Sequence, residues 1–206
     1  MSKTTSPSLL LRIRNPDDES AWREFDELYS EIIRLYCRQR KLQPHDEDDV
    51  VQEVMDSVCK AIRTFEYDPS KGRFRSWLGT VTANRIRNHL SRKSGSDVVA
   101  VGGDAVDNAN GNWVDPDDSW VEIFSERIFR KACSLVRPNV SETTWACFEA
   151  TWIMEEEAGE VAKRFDIPVH SVYVNKSRVL KRLDQQIRVL AEDLPVAKEN
   201  TEKSDK

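Results

Sequence analysis

Apolar residues recur every three or four positions along most of this chain, the spacing that lines one side of an α-helix. Trp22, Phe25, Leu28, Tyr29, Ile32, Ile33 and Tyr36 draw the first such stripe. After a break at Gln43-Pro44, a second stripe runs through Val50, Val51, Val54, Met55, Val58, Ala61, Ile62 and Phe65. Asp46, Glu47, Asp48 and Asp49 open it, where carboxylates meet the positive end of a helix dipole. Tyr67-Asp68-Pro69-Ser70-Lys71-Gly72 has turn chemistry. A third helix follows from about Phe74 through Trp77, Leu78, Val81, Ile86 and Leu90, and Leu9 to Ile13 adds a short apolar piece in front. Residues 9–93 therefore read as one three-helix unit.

The pattern then lapses. Residues 94–120 hold four Gly and many Asp and Asn without a sustained period, which predicts a flexible acidic linker. Helical spacing resumes near Val121 with Phe124, Ile128, Ala132, Leu135 and Val136, and stops at Pro138. Ser141 is placed to N-cap a next helix carrying Trp145, Phe148 and Trp152. Ala158, Val161, Ala162 and Phe165 mark another, ended by Asp166-Ile167-Pro168. The last helix runs from about Val169 to Leu190 with Val172, Val179, Leu183, Ile187 and Leu190 facing inward, and residues 191–206 read as a polar tail. No strand pattern of useful length occurs. The expected fold is all-α: two small helical domains, 9–93 and 121–190, joined by the acidic linker at 94–120.

Composition narrows the class. At 39% hydrophobic and 33% charged residues, the chain suits a soluble helical protein and excludes collagen-like and disulfide-framework folds. Its first residues lack an apolar signal core of roughly 7 to 15 residues, and no later run approaches the ~18 needed to cross a bilayer. The expectation is a cytoplasmic protein with no membrane insertion. Cys37, Cys59, Cys133 and Cys147 form no CxxC pair, and the three histidines are scattered. Zinc sites use tighter ligand pairs, so neither metal nor cofactor is expected, and the cysteines read as buried or half-buried free thiols.

The net charge of −5 argues against a polyanion partner, but its distribution argues for one. From Lys60 to Lys93 nine basic residues face two acidic ones, and from Ser94 to Glu126 eight acidic residues face no basic one. From His170 to Leu190 five basic residues face only Asp184. Phosphate affinity comes from local Lys and Arg, so these blocks fit two phosphate-facing modules on a repelling tether, with solvated helix faces as the plain alternative. The final pair, Glu156 to Phe165 and Val169 to Leu190, has helix-turn-helix spacing. In that arrangement the first helix braces the second, whose opening turns put His170, Ser171, Tyr173, Asn175, Lys176 and Arg178 within reach of base edges and phosphates.

Two stretches carry a family resemblance. Asp49-Val50-Val51-Gln52-Glu53-Val54, then Phe65-Glu66-Tyr67-Asp68-Pro69 and Gly72-Arg73-Phe74-Arg75-Ser76-Trp77-Leu78-Gly79-Thr80-Val81-Thr82-Ala83-Asn84-Arg85, resemble region two of the RNA polymerase sigma-70 family, especially its small extracytoplasmic-function (ECF) members. The run from Gly159 to Leu180 resembles region four of the same group, with Asp166 where the family commonly has Gly; Asp can adopt the left-handed backbone at small cost. The resemblance implies a sigma factor whose first unit binds core RNA polymerase and opens promoter DNA while the second reads the upstream element. It assigns Asp49, Gln52 and Glu53 to the polymerase, where carboxylates meeting basic residues set register and on-rate more than affinity. Arg73, Arg75, Trp77, Asn84, Arg85, Arg87 and Asn88 are the candidates for the melted strand, which needs cations and stacking surfaces. Trp77 also falls on the apolar stripe with Phe74 and Leu78, which favours burial. The resemblance also allows for an anti-sigma protein as a partner, which no residue here identifies.

Catalysis has little support. Of Asp46, Asp48, Asp49 and Glu53, only Asp49 and Glu53 share a helix face, and neither a P-loop nor a G-x-S-x-G motif is present. The competing function is a stand-alone helix-turn-helix regulator, which would not need the first unit.

Overall fold

The computed structural model describes residues 9–63, 74–93 and 116–191, and within them the fold is all-α. The Phe65 position, the Tyr67 to Gly72 turn, Arg73, most of the acidic segment and the polar tail lie outside the described residues. The helices are α1 (Leu9–Arg12), α2 (Glu19–Gln39), α3 (Pro44–Ala61), α4 (Phe74–Lys93), α5 (Asp118–Val136), α6 (Glu142–Phe148), α7 (Ala158–Phe165) and α8 (Val169–Ala191). A 3₁₀ turn at Arg137–Asn139 follows α5, and a π turn at Glu149–Ile153 follows α6.

Sequence signals account for the ends. Asp18 caps α2, its carboxylate accepting from the Ala21 N–H at 2.9 Å. Pro44 occupies the first turn of α3, where its missing N–H would have gone unused anyway. Ser141 caps α6 through the Thr144 N–H at 3.2 Å. At the turn before α8, Asp166 takes the left-handed backbone expected there, at φ 51° and ψ 49°.

In α2 the predicted stripe is buried except for Trp22, which is half-buried beside the core, and α2 packs on α3 as α3 packs on α4. Phe25, Tyr29, Phe74 and Trp77 form an aromatic run there; Phe25 and Tyr29 lie 4.3 Å apart, and Phe74 and Trp77 lie 5.4 Å apart between ring centroids.

The junction between the two halves differs from the expectation. The helix expected near Val121 starts at Asp118, and Trp120, placed by composition in the linker, is 0% exposed. Its ring meets Tyr36 at 5.1 Å, and Phe124 one turn on meets Tyr29 at 6.2 Å. The indole N–H of Trp120 donates to the Arg75 carbonyl at 3.0 Å. Opposite the indole is Gly79, where a Cβ would stand 2.6 Å from its nitrogen, so only a bare backbone lets α4 approach this closely. Because α5 packs on both α2 and α8, a single apolar cluster runs from Leu10 to Leu190. A smaller one, comprising Cys147, Ala150, Val161, Ala162 and Val172, sits under the final pair.

Three stripe positions turn outward instead: Leu90, Leu135 and Trp152, the last 51% exposed. For Trp152 the cause is the π turn, whose Met154 N–H reaches the Glu149 carbonyl at 3.0 Å. The wider turn rotates Trp152 off the line of Trp145 and Phe148. Cys37 and Cys147 are buried and Cys133 half-buried, whereas Cys59 is exposed. Burial pushes the Cys37 thiol up to about 12.

Candidate functional site

The acidic opening of α3 divides by helical angle. Asp46 and Glu47 face the neighbouring helices and are buried, 5% and 4% exposed. Asp46 Oδ2 accepts from the Lys93 ammonium at 2.8 Å, and its Oδ1 lies 2.8 Å from Nε2 of His89. Those two bonds, Lys93 first, draw the Asp46 carboxyl down to about 2. Glu47 accepts from Arg38 Nε of α2 at 3.0 Å. These two carboxylates serve the fold, being tolerated inside because they are paired.

Asp49 and Gln52, one turn on, are exposed and make no ion pair or side-chain hydrogen bond among the described residues. Glu53 is half-buried and accepts from Arg92 of α4 at 2.6 Å. The structure thus brings Asp49, Gln52 and Glu53 together on the wall of one depression of about 570 Å³ whose other wall is His89, Arg92 and Lys93. The sequence identified the acidic wall. It missed the basic one, because contact between α3 and α4 depends on how two stripes pack.

The α4 candidates do not share one surface. Trp77 is fully buried against Phe74, which corrects its assignment to a strand-contacting face: the apolar stripe claims it. Arg75 is half-buried with its guanidinium 5.7 Å from the Phe124 ring centre. Arg85 reaches back to the Ser57 hydroxyl of α3 at 2.8 Å. Asn88 is half-buried. Asn84 and Arg87 do stand together, the guanidinium donating to the Asn84 carbonyl oxygen at 2.6 Å. They line a cleft of about 440 Å³ with Tyr36, Arg40, Leu90 and Asp117. There Asp117, the N-cap of α5, accepts from the Tyr36 hydroxyl at 2.8 Å and pairs with Arg40. Burial works against its charge, but Ser119, the Trp120 N–H, Tyr36 and Arg40 outweigh it and hold Asp117 below its usual value. Burial, followed by Asp117, raises the Tyr36 phenol, which stays a donor. Arg40 is the residue the sequence reading overlooked; its position four after Tyr36 was the available signal.

On α8 the buried face is Val172, Val179, Leu183 and Leu190. His170, Tyr173 and Arg178 point to solvent, and Ser171 is half-buried. Asn175 turns inward, its oxygen 3.4 Å from the Thr144 hydroxyl and its amide 3.7 Å from Cys147 Sγ. Lys176 lies 5.0 Å from the centre of the Trp152 ring, a cation–π contact. The outward set is therefore His170, Tyr173 and Arg178, joined by Lys181, which the charge count included and the site reading did not.

Among the described residues no group of three or more His, Cys, Asp or Glu could hold a metal ion, and no helix is long and apolar enough to cross a membrane. No curated protein matches the chain. Residues 24–95, from within α2 to just beyond α4, match the family model of sigma-70 region 2. That match supports an RNA polymerase sigma-70 family member with a sigma-factor role in transcription initiation.

Proposed function

We propose that this chain is an ECF-type sigma factor that directs core RNA polymerase to specific promoters. The observation that carries the reading is the region 2 match over the helices that hold Asp49, Gln52, Asn84 and Arg87. In this reading the open side of α3 docks on the polymerase through Asp49 and Gln52, with Glu53 already neutralised by Arg92. Arg87 and Asn84 follow the opened strand, Arg87 as a cation for its phosphates and Asn84 as a hydrogen-bonding neighbour, with Arg40 beside them held by Asp117. The α7–α8 pair lies over the upstream element, with His170, Tyr173 and Arg178 towards the DNA. The role is one of binding rather than catalysis, uses no cofactor, and belongs in the cytoplasm.

The test is run-off transcription from a library of genomic fragments by core polymerase with and without the protein. The reading expects new, discrete start sites that depend on the protein. An unchanged transcript pattern, together with tight sequence-specific binding of duplex DNA by the protein alone, would favour the stand-alone regulator instead.

A further inference from the structure

A third cleft, of about 530 Å³, opens where the turn before α6 meets the middle of α8. Its walls carry Arg178, Lys181 and Arg182 from α8, with Asn139, Ser141 and Thr144 opposite. No carboxylate lines it, although acidic residues outnumber basic ones in the chain, 36 to 31. Arg182 is anchored on the Asn139 carbonyl. Arg178 and Lys181 have no ion pair among the described residues. The Ser141 and Thr144 hydroxyls bond each other at 2.9 Å, which fixes this wall.

The geometry points to a phosphate-binding site, and the phosphate it fits is one of the DNA backbone. Three cations converging on one concavity with no acid to neutralise them are matched by a compact polyanionic oxygen cluster. Position along the helix identifies the source. From Tyr173 to Lys181 the axis advances about 12 Å, close to the width of the major groove. With the first turns of α8 in the groove, the cleft therefore meets the phosphates along its rim. The inference rests on α8 being the DNA-facing helix and adds to it a fixed backbone clamp made by Lys181 and Arg182 against the 139–144 turn. Such a clamp sets register without reading sequence.

The full-length protein, its Lys181→Ala and Lys181→Glu variants, and Tyr173→Ala as a groove-side contrast, are titrated against two unrelated DNA duplexes over a range of salt. Thermal melting confirms that each variant is folded. In parallel, inorganic phosphate is titrated into the protein and followed by NMR. The clamp predicts that Lys181→Ala lowers the salt slope by about one on both duplexes, that Lys181→Glu weakens binding further, and that phosphate shifts Ser141, Thr144 and Lys181 saturably. Tyr173→Ala should leave the slope unchanged. Intact duplex binding with an unchanged slope in both Lys181 variants overturns the clamp while leaving α8 as the DNA helix. If the wild-type protein binds no duplex, even with core polymerase, the DNA reading of α8 fails and the phosphate titration decides. Saturable shifts at those residues then keep the phosphate site with a free anion as its source, and absent shifts overturn it.

Discussion

Along the seam of α3 and α4, Asp46 holds His89 and Lys93 and Glu53 holds Arg92, while on the other flank of α3 Glu47 holds Arg38 of α2. Along the outer side of α8, Arg178 and Lys181 meet no carboxylate among the described residues, and Arg188 further on is paired only within its own helix, to Asp184. Both regions are rich in charge and use it differently. A charge drawn partly out of water is tolerated only when paired, so the seam's charges fix how two helices meet. Cations left in solvent keep their hydration and their long-range field, and remain available to a polyanion. Substitutions in the first region should therefore register in stability, and those in the second in binding.

The largest effect is expected where the two regions are joined. Trp120 seats α5 on α2 and α4, so Trp120→Ala should lower unfolding free energy by about 3–5 kcal/mol in denaturant titration. A loss under about 1 kcal/mol would show that the indole is not part of the core. A matched glycine pair sharpens the contrast. A Cβ at Gly79 meets the Trp120 indole, so Gly79→Ala should destabilise by about 1–3 kcal/mol. At Gly159 in α7 nothing lies within 4 Å, and Gly159→Ala should be neutral or stabilise by up to about 1 kcal/mol.

Acid probes the seam next. The Asp46 carboxyl is lowered from 3.8 to about 2 in the folded protein, so its contribution is complete above the higher value and disappears as pH falls towards the lower one. Thermal melting across that window should show the loss. Lys93→Ala should diminish it, whereas Lys181→Ala on α8 should leave it as in the wild type.

Much of this was legible from periodicity. The α2 stripe and the Gln43-Pro44 break follow from local chemistry that each segment carries by itself, whereas the left-handed Asp166 was expected through the family resemblance. Trp120 was not legible: an aromatic that directly follows Asp115-Pro116-Asp117-Asp118-Ser119 is outvoted in a compositional window, yet its burial decides where α5 begins. Trp152 has helical spacing with Phe148, and only the π turn, a backbone event, moves it outside. The same limit applied at the site. Asp46 and Asp49 are alike in sequence and opposite in placement, one buried and paired and the other exposed, because the position of α4 determines which one meets Lys93.

The account depends most on the open side of α3 being a docking face for core RNA polymerase. Its direct test is the affinity of labelled full-length protein for core polymerase, wild type against Asp49→Ala combined with Gln52→Ala. Both side chains are exposed and unpaired among the described residues, so the double variant should melt within about 0.5 kcal/mol of the wild type. Its affinity for polymerase should nonetheless fall by about tenfold or more. Equal affinity in the two proteins would contradict the docking face, and a wild-type protein that does not bind core polymerase would contradict the sigma-factor role itself.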